Sequence, residues 1–213
     1  MRRRPERDWK GSLSDGVNMR DRARKYFQTL TQLVNDLSVL DKQGQTCDVY
    51  ESFEKAANLI LEVKKSSRKL MFIGNGASAS IASHMAADFL KNGRVRALAF
   101  NDAPLLTCIS NDIGYEEVFE RPLEIVADPG DVLFAISSSG NSKNVLRGVQ
   151  MALSKGCYVI TLSGFAANNS LRSLGDSNFY VPFSSYGLIE VIHHSICHCI
   201  LDGFLAAEKE GLK

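Results

Sequence analysis

From Lys69 onward the chain repeats one unit: a short continuous apolar run, a few small residues, then a helical pattern. The runs are Leu70–Ile73, Val95–Phe100, Val132–Ile136, Tyr158–Leu162 and Phe179–Val181. Apolar residues at helical spacing fill residues 77–91, 103–126, 142–155 and 170–175, and a last helical pattern covers 186–208. Strands that are apolar on both faces, alternating with helices, predict a parallel sheet covered on both sides. The expected fold class is therefore α/β, a doubly wound five-stranded parallel sheet. Such sheets bind ligands outside the carboxyl ends of their strands, so the segments just after each run are the places to search for function.

Before Lys69 the pattern differs. Phe27, Leu30, Leu33, Leu37 and Leu40 recur at helical spacing, and Phe53, Ala56, Ala57, Ile60 and Val63 do so again. With a linker near Gly44 between them and no strand evident, they are expected to pair as an N-terminal helical hairpin or to serve a subunit interface. The expected organisation is a disordered basic extension over 1–18, N-terminal helices over 19–66 and the α/β domain over 67–209. Residues 1–18 carry Pro5, Gly11 and Gly16, no apolar periodicity and no apolar segment of the kind a secretory signal needs.

Composition excludes several classes. With 25 basic and 24 acidic side chains in 213 residues, no global positive field exists to coat a nucleic acid, and no nucleic-acid partner is expected. Uninterrupted apolar runs are far shorter than the ~20 residues that span a bilayer, so no membrane association is expected. The five cysteines, Cys47, Cys108, Cys157, Cys197 and Cys199, show no paired framework, which fits a reducing, cytoplasmic setting. Cys197 and Cys199 flank His198, but cysteine in an apolar helix is read first as a small packing residue.

Two post-strand segments carry the candidate binding chemistry. Gly74-Asn75-Gly76-Ala77-Ser78 follows the first run, and Ser137-Ser138-Ser139-Gly140-Asn141-Ser142 follows the third. Both lead into a helix, whose first amides lack intrahelical partners and point at whatever lies above them. Glycine admits close backbone approach, and serine adds donors without bulk. Together they suit a phosphate monoester held by neutral groups, with only Lys143 nearby. Neither G-x-G-x-x-G nor G-x-x-x-x-G-K-[ST] occurs, so the nucleotide fingerprints do not apply.

A second constellation can move protons or hold metal. His84 and Asp88 are four residues apart in one helical segment, and Glu190, His194 and His198 are four apart in the last. Each set shares a helix face. Imidazoles and carboxylates so placed can chelate a divalent ion or act as general acid and base.

Taken in order, these motifs resemble the phosphoheptose isomerases, a branch of the sugar isomerase (SIS) proteins. G-N-G-A-S-x5-H-M-A-A-D is similar to their G-N-G-G-S-x5-H-F-A-x-E. N-D-I-G-Y-E-E-V-F-E-R is similar to N-D-x-G-[FY]-x-x-x-F-x-R, and G-D-V-L-F-A-I-S-S-S-G-N-S-K-N-V to G-D-V-L-x-x-I-S-T-S-G-N-S-x-N-V. I-E-V-I-H-H-S-I-C-H is similar to I-Q-E-x-H-x-x-x-x-H. The resemblance covers about residues 20–206.

It implies an SIS domain in a homotetramer with sites between subunits. The implied reaction is conversion of sedoheptulose 7-phosphate to D-glycero-D-manno-heptose 7-phosphate through an enediol(ate), toward lipopolysaccharide or capsule heptose. Substrate-binding positions by resemblance are Asn75, Gly76, Ser78, Asp102, Asn111, Asp112, Ser137, Ser138, Ser139, Ser142 and Glu190. Zn²⁺, one per subunit, falls to His84, Asp88, Glu190 and His198, with Asp88 and His198 as the catalytic acid–base pair. Either of that pair can take the C–H proton. Three positions depart from the family pattern: aspartate replaces glutamate at 88, glutamate replaces glutamine at 190, and Gly187 stands at a family aspartate. The alternative is a non-catalytic SIS tetramer that binds a phosphosugar or a replication-initiator protein.

Overall fold

A computed structural model describes residues 18–211. The extension expected over 1–18 therefore lies outside the described residues, apart from Asn18, whose side chain caps the first helix by accepting from the Arg20 amide. The elements run α1 (Met19–Asn35), β1 (Ser38–Asp41), β2 (Thr46–Cys47), α2 (Val49–Lys65), β3 (Lys69–Gly74), α3 (Ala77–Lys91), β4 (Arg96–Ala99) and α4 (Ala103–Asp112). They continue with α5 (Glu120–Val126), β5 (Val132–Ser137), α6 (Lys143–Ser154), β6 (Tyr158–Ser163), β7 (Ser177–Tyr180) and α7 (Tyr186–Gly211).

The sheet order is β2-β1-β7-β6-β5-β3-β4. The five strands from β7 to β4 are mutually parallel, as the apolar runs predict. Their side chains alternate between two cores. Leu70, Phe72, Val132, Phe134, Ile136, Ile160 and Leu162 join the core under α2, α3 and α7. Met71, Ile73, Leu133, Ala135 and Val159 join the core under α4, α5 and α6. Helices on both faces make the sheet doubly wound.

Three details correct the sequence reading. The sheet has seven strands rather than five, because a β-hairpin sits between the first two helices. Its first strand, β1, adds antiparallel to β7, and its turn is held by Asp41, whose carboxylate accepts from the Gln43 and Gln45 amides. Second, the hairpin carries the chain across the sheet edge, and α2 packs along α7 rather than forming a helical hairpin with α1. Third, the helix expected over 103–126 is broken. α4 stops at Asp112, Gly114 takes φ +149°, a 3-10 turn spans Tyr115–Glu117, and α5 resumes at Glu120.

By length and mean hydropathy α7 could cross a bilayer, but half of its apolar window is buried within the fold. Ile192, Ile196, Ile200 and Phe204 are spent in the core, so α7 is read as a core helix.

Candidate functional site

The carboxyl ends of β3 and β5 open onto a cavity of about 760 Å³. Its floor is the two predicted loops: Asn75, Gly76 and Ser78 from one, and Ser137, Ser138, Ser139 and Ser142 from the other. Tyr115, Lys143, Tyr186 and Glu190 stand around it. The second loop is shaped by Gly140, which takes φ +63°. A β-carbon there would fall 1.9 Å from the Asn169 Oδ1, so only glycine fits. The Leu171 amide donates to the Gly140 carbonyl, and the Ser170 amide to the Asn141 side chain. The 3-10 turn at Ser170–Ser173 thus braces the serine loop from behind.

Ser142 caps α6 by position, but its hydroxyl makes no capping bond; its neighbour is the Ser137 hydroxyl at 3.3 Å. Lys143 and Asn144 amides open the helix without intrahelical partners. The Lys143 ammonium beside these donors is paired with Glu116 at 2.8 Å. That same pairing holds the Glu116 carboxyl below the usual carboxylate range.

The two loops are tied together through Asn75 by two residues not singled out from the sequence, Asn144 and Tyr115. Asn75 and Asn144 donate to each other through their side-chain amides, both at 2.9 Å, and the Tyr115 hydroxyl donates to Asn75 at 2.8 Å. Asn75 therefore serves at least partly to lock the cradle. Its pairing was not legible, since the partner lies 69 positions away.

Asp102, Asn111 and Asp112 do not line the cavity. Asp102 caps α4, accepting from the Leu105 amide. Asn111 donates to Asp112 at the exposed end of α4.

The proton and metal candidates gather at a second place, where α3 crosses α7. His84, His194 and His198 bring one ligand nitrogen each within 4.8 Å of one another. The ring centroids of His194 and His198 lie 4.6 Å apart, and His84 meets both edge-on at 4.8 and 5.3 Å. Asp88 stands on His84, its Oδ2 3.2 Å from Nε2, and accepts from Asn92 on the other side. Burial pushes the His194 imidazolium below its ordinary pKa, and the neighbouring imidazoles of His198 and His84 push it further. His194 Nε2 is buried with no hydrogen-bond partner. Imidazole nitrogens from two helices, one of them buried and unpaired, fit a borderline-soft divalent ion such as Zn²⁺.

Of the four ligands implied by resemblance, His84 and His198 join this cluster, Asp88 lies beside it on His84, and Glu190 does not belong to it. Glu190 lies with the cavity instead, where burial raises its pKa. His193 turns the other way from its neighbour. It is fully buried and donates through Nε2 to the Ser163 carbonyl at 3.1 Å, which fastens α7 to the end of β6. Burial drives its pKa down to about 4. Cys197 is buried in the core and its thiol is pushed up to about 12, the packing role read from the sequence.

A doubly wound sheet with a neutral serine cradle at its switch side defines a phosphosugar-binding protein of the SIS class, and the SIS domain family profile matches residues 26–164. The chain belongs, within that class, to the phosphoheptose isomerase family. It is 36% identical over 200 residues to the phosphoheptose isomerase of Sodalis glossinidius, covering 90% of this chain and 95% of that one. It is 38% identical over 157 residues to that of Helicobacter hepaticus, covering 71% and 80%. The solved phosphoheptose isomerase of Neisseria gonorrhoeae superposes with a TM-score of 0.75 at 29% identity, covering 88% of this chain and 99% of that one.

Proposed function

We propose that this protein is an aldose–ketose isomerase that converts sedoheptulose 7-phosphate to D-glycero-D-manno-heptose 7-phosphate, supplying heptose for lipopolysaccharide or capsule from the cytoplasm. The observation that carries the reading is the cavity at the ends of β3 and β5, whose floor is serine hydroxyls and helix-terminal amides. Such donors suit a phosphate monoester, which accepts several hydrogen bonds at once. Membership of the family supports the same substrate.

In this reaction a proton leaves the carbon beside the carbonyl, and an enediolate forms. A proton then reaches the former carbonyl carbon, and a hydroxyl proton passes between the two oxygens. Asp88 and His198 are assigned as the acid–base pair. Asp88 is a carboxylate held in place by His84 and Asn92; His198 presents a half-buried imidazole from the facing helix. A Zn²⁺ ion bound at the histidine cluster would supply Lewis-acid stabilisation of the developing negative charge. Glu190 sits one turn before His194 on the face of α7 that leads from the cavity toward the cluster, placed to orient sugar hydroxyls.

A homotetramer with sites between subunits belongs to the same proposal. Two features support it. The cavity of a single chain does not include the histidine cluster or Asp102, Asn111 and Asp112. α1 also exposes Met19, Phe27 and Val34, an apolar surface suited to another copy.

The test is incubation of purified protein, with and without added Zn²⁺, with sedoheptulose 7-phosphate, following the aldose phosphate by NMR. Conversion is expected. Tight phosphosugar binding with no turnover in either condition would overturn the isomerase reading.

A further inference from the structure

We propose that His194 is a metal ligand: His84, His194 and His198 supply the nitrogen donors for a divalent ion of the zinc class, and Glu190 stays outside that set. The proposal deepens the isomerase reading and rests on it for the ion's role, though not for its binding. It adds His194 to the ligand set that the family resemblance implies, drops Glu190 from it and makes Asp88 a partner of His84.

Four observations carry it. Among the described residues, the ligand nitrogens of these three histidines, and no carboxylate with them, lie mutually within 4.8 Å. Zinc–imidazole bonds of about 2.0–2.1 Å need the donors somewhat closer, and the exposed His84 ring has room to move. The rings do not stack. His84 is edge-on to both partners, at 86° and 69°, so the three surround a common point from two helices.

The third observation is His194 Nε2, a buried nitrogen without a hydrogen-bond partner. Buried polar atoms are nearly always satisfied, and a bound cation satisfies this one. The fourth is the position of Glu190, which lines the sugar-phosphate cavity one helical turn earlier on α7. Asp88 engages His84 at 3.2 Å, the arrangement by which a carboxylate orients a ligating imidazole.

The test is metal affinity, read independently of turnover. Full-length protein is stripped with chelator, titrated with Zn²⁺ against a competing chelator, and analysed for bound metal after dialysis. Loss of an orienting partner typically costs ~10–100-fold in metal affinity, so loss of a ligand in His194→Ala should cost more than ~100-fold. Glu190→Gln should change affinity less than ~10-fold. Zn²⁺ added to the wild-type protein should shift three histidine NMR resonances together and leave His193 in place. That measurement stands even if a variant misfolds.

Unchanged affinity in His194→Ala, or loss of metal in Glu190→Gln, overturns the proposal. So does a wild-type protein that takes up no stoichiometric zinc. Turnover by a protein that takes up no stoichiometric zinc would sink the ligand assignment and leave the isomerase reading intact. Zinc held through His194 in a protein that never turns over the sugar would do the reverse.

Discussion

The serine cradle and the histidine cluster are built by opposite means. The cradle is made of two short loops, each at the end of a strand and the start of a helix, so its donors are largely held by the backbone. Gly140 sets its turn, and Asn169, Asn141 and the Asn75–Asn144 amide pair brace it. None of those groups titrates near neutral pH. The cluster is made of side-chain tips from α3 and α7, brought together by packing over 100 positions of sequence. Its groups are ionisable side chains held by packing rather than by backbone. Binding is thus assigned to a preorganised surface of groups that do not ionise, and chemistry to imidazoles and a carboxylate. The difference makes the two separable by experiment.

The largest expected effect is on the chemistry side. His198→Ala should lower kcat by about 10²–10⁴-fold, the usual contribution of a general acid–base group. Phosphosugar affinity, measured by calorimetry, should change by less than ~10-fold. A comparable collapse in affinity would show that the two regions are not separate.

His193 sharpens the contrast one residue from the cluster. Its pKa is depressed to about 4, against about 6.5 in the unfolded chain. The neutral folded form therefore contributes fully above pH ~6.5, and the contribution is lost as pH falls through ~4. A shift of this size corresponds to about 3 kcal/mol at pH 4 and below. Denaturant unfolding at pH 7 and pH 4 should show the loss in wild type and a much shallower dependence in His193→Gln.

On the binding side, Ser142→Ala and Ser139→Ala should each raise KM about 10–100-fold if the hydroxyl donates to a phosphate oxygen, since hydrogen bonds to charged groups contribute ~1.5–3 kcal/mol. Initial rates at varied substrate give KM and kcat separately, and kcat should hold within a few-fold. An unchanged KM in both variants removes the cradle assignment.

The smallest effect belongs to the brace. Tyr115→Phe deletes one neutral hydrogen bond to Asn75, worth about 0.5–1.5 kcal/mol. A rise in KM of less than ~10-fold, with the unfolding midpoint little changed, is expected. A larger fall in kcat than in affinity would place Tyr115 among the reacting groups instead.

The uneven legibility of the chain follows the same division. The five parallel strands could be read because β3, β5 and β6 are buried on both faces and therefore continuously apolar. The β1–β2 hairpin could not, because four- and two-residue strands at a sheet edge carry no such run. Its one local signal was Asp41 ahead of Gly44, a turn pair easily taken for a linker. Asp102, Asn111 and Asp112 carry the family motif, yet in one chain their local bonds are a helix cap and a surface pair. His194 was visible at four-residue spacing beside His198, but nothing local distinguished its role from that of Glu190.

What the sequence by itself determined is the strand–loop–helix order, the position of the cradle and the shared face of Glu190, His194 and His198. All of these depend on residues a few positions apart, where backbone geometry and side-chain period leave little choice. Only the tertiary structure decided that α2 rides on α7, that His84 meets His194 and His198, and that Glu190 points to the cavity rather than to the cluster. Those outcomes depend on how two helices cross. The crossing is set by close-packed residues such as Ala86, Phe89, Ile196, Ile200 and Phe204 acting together, and no single stretch of chain encodes it.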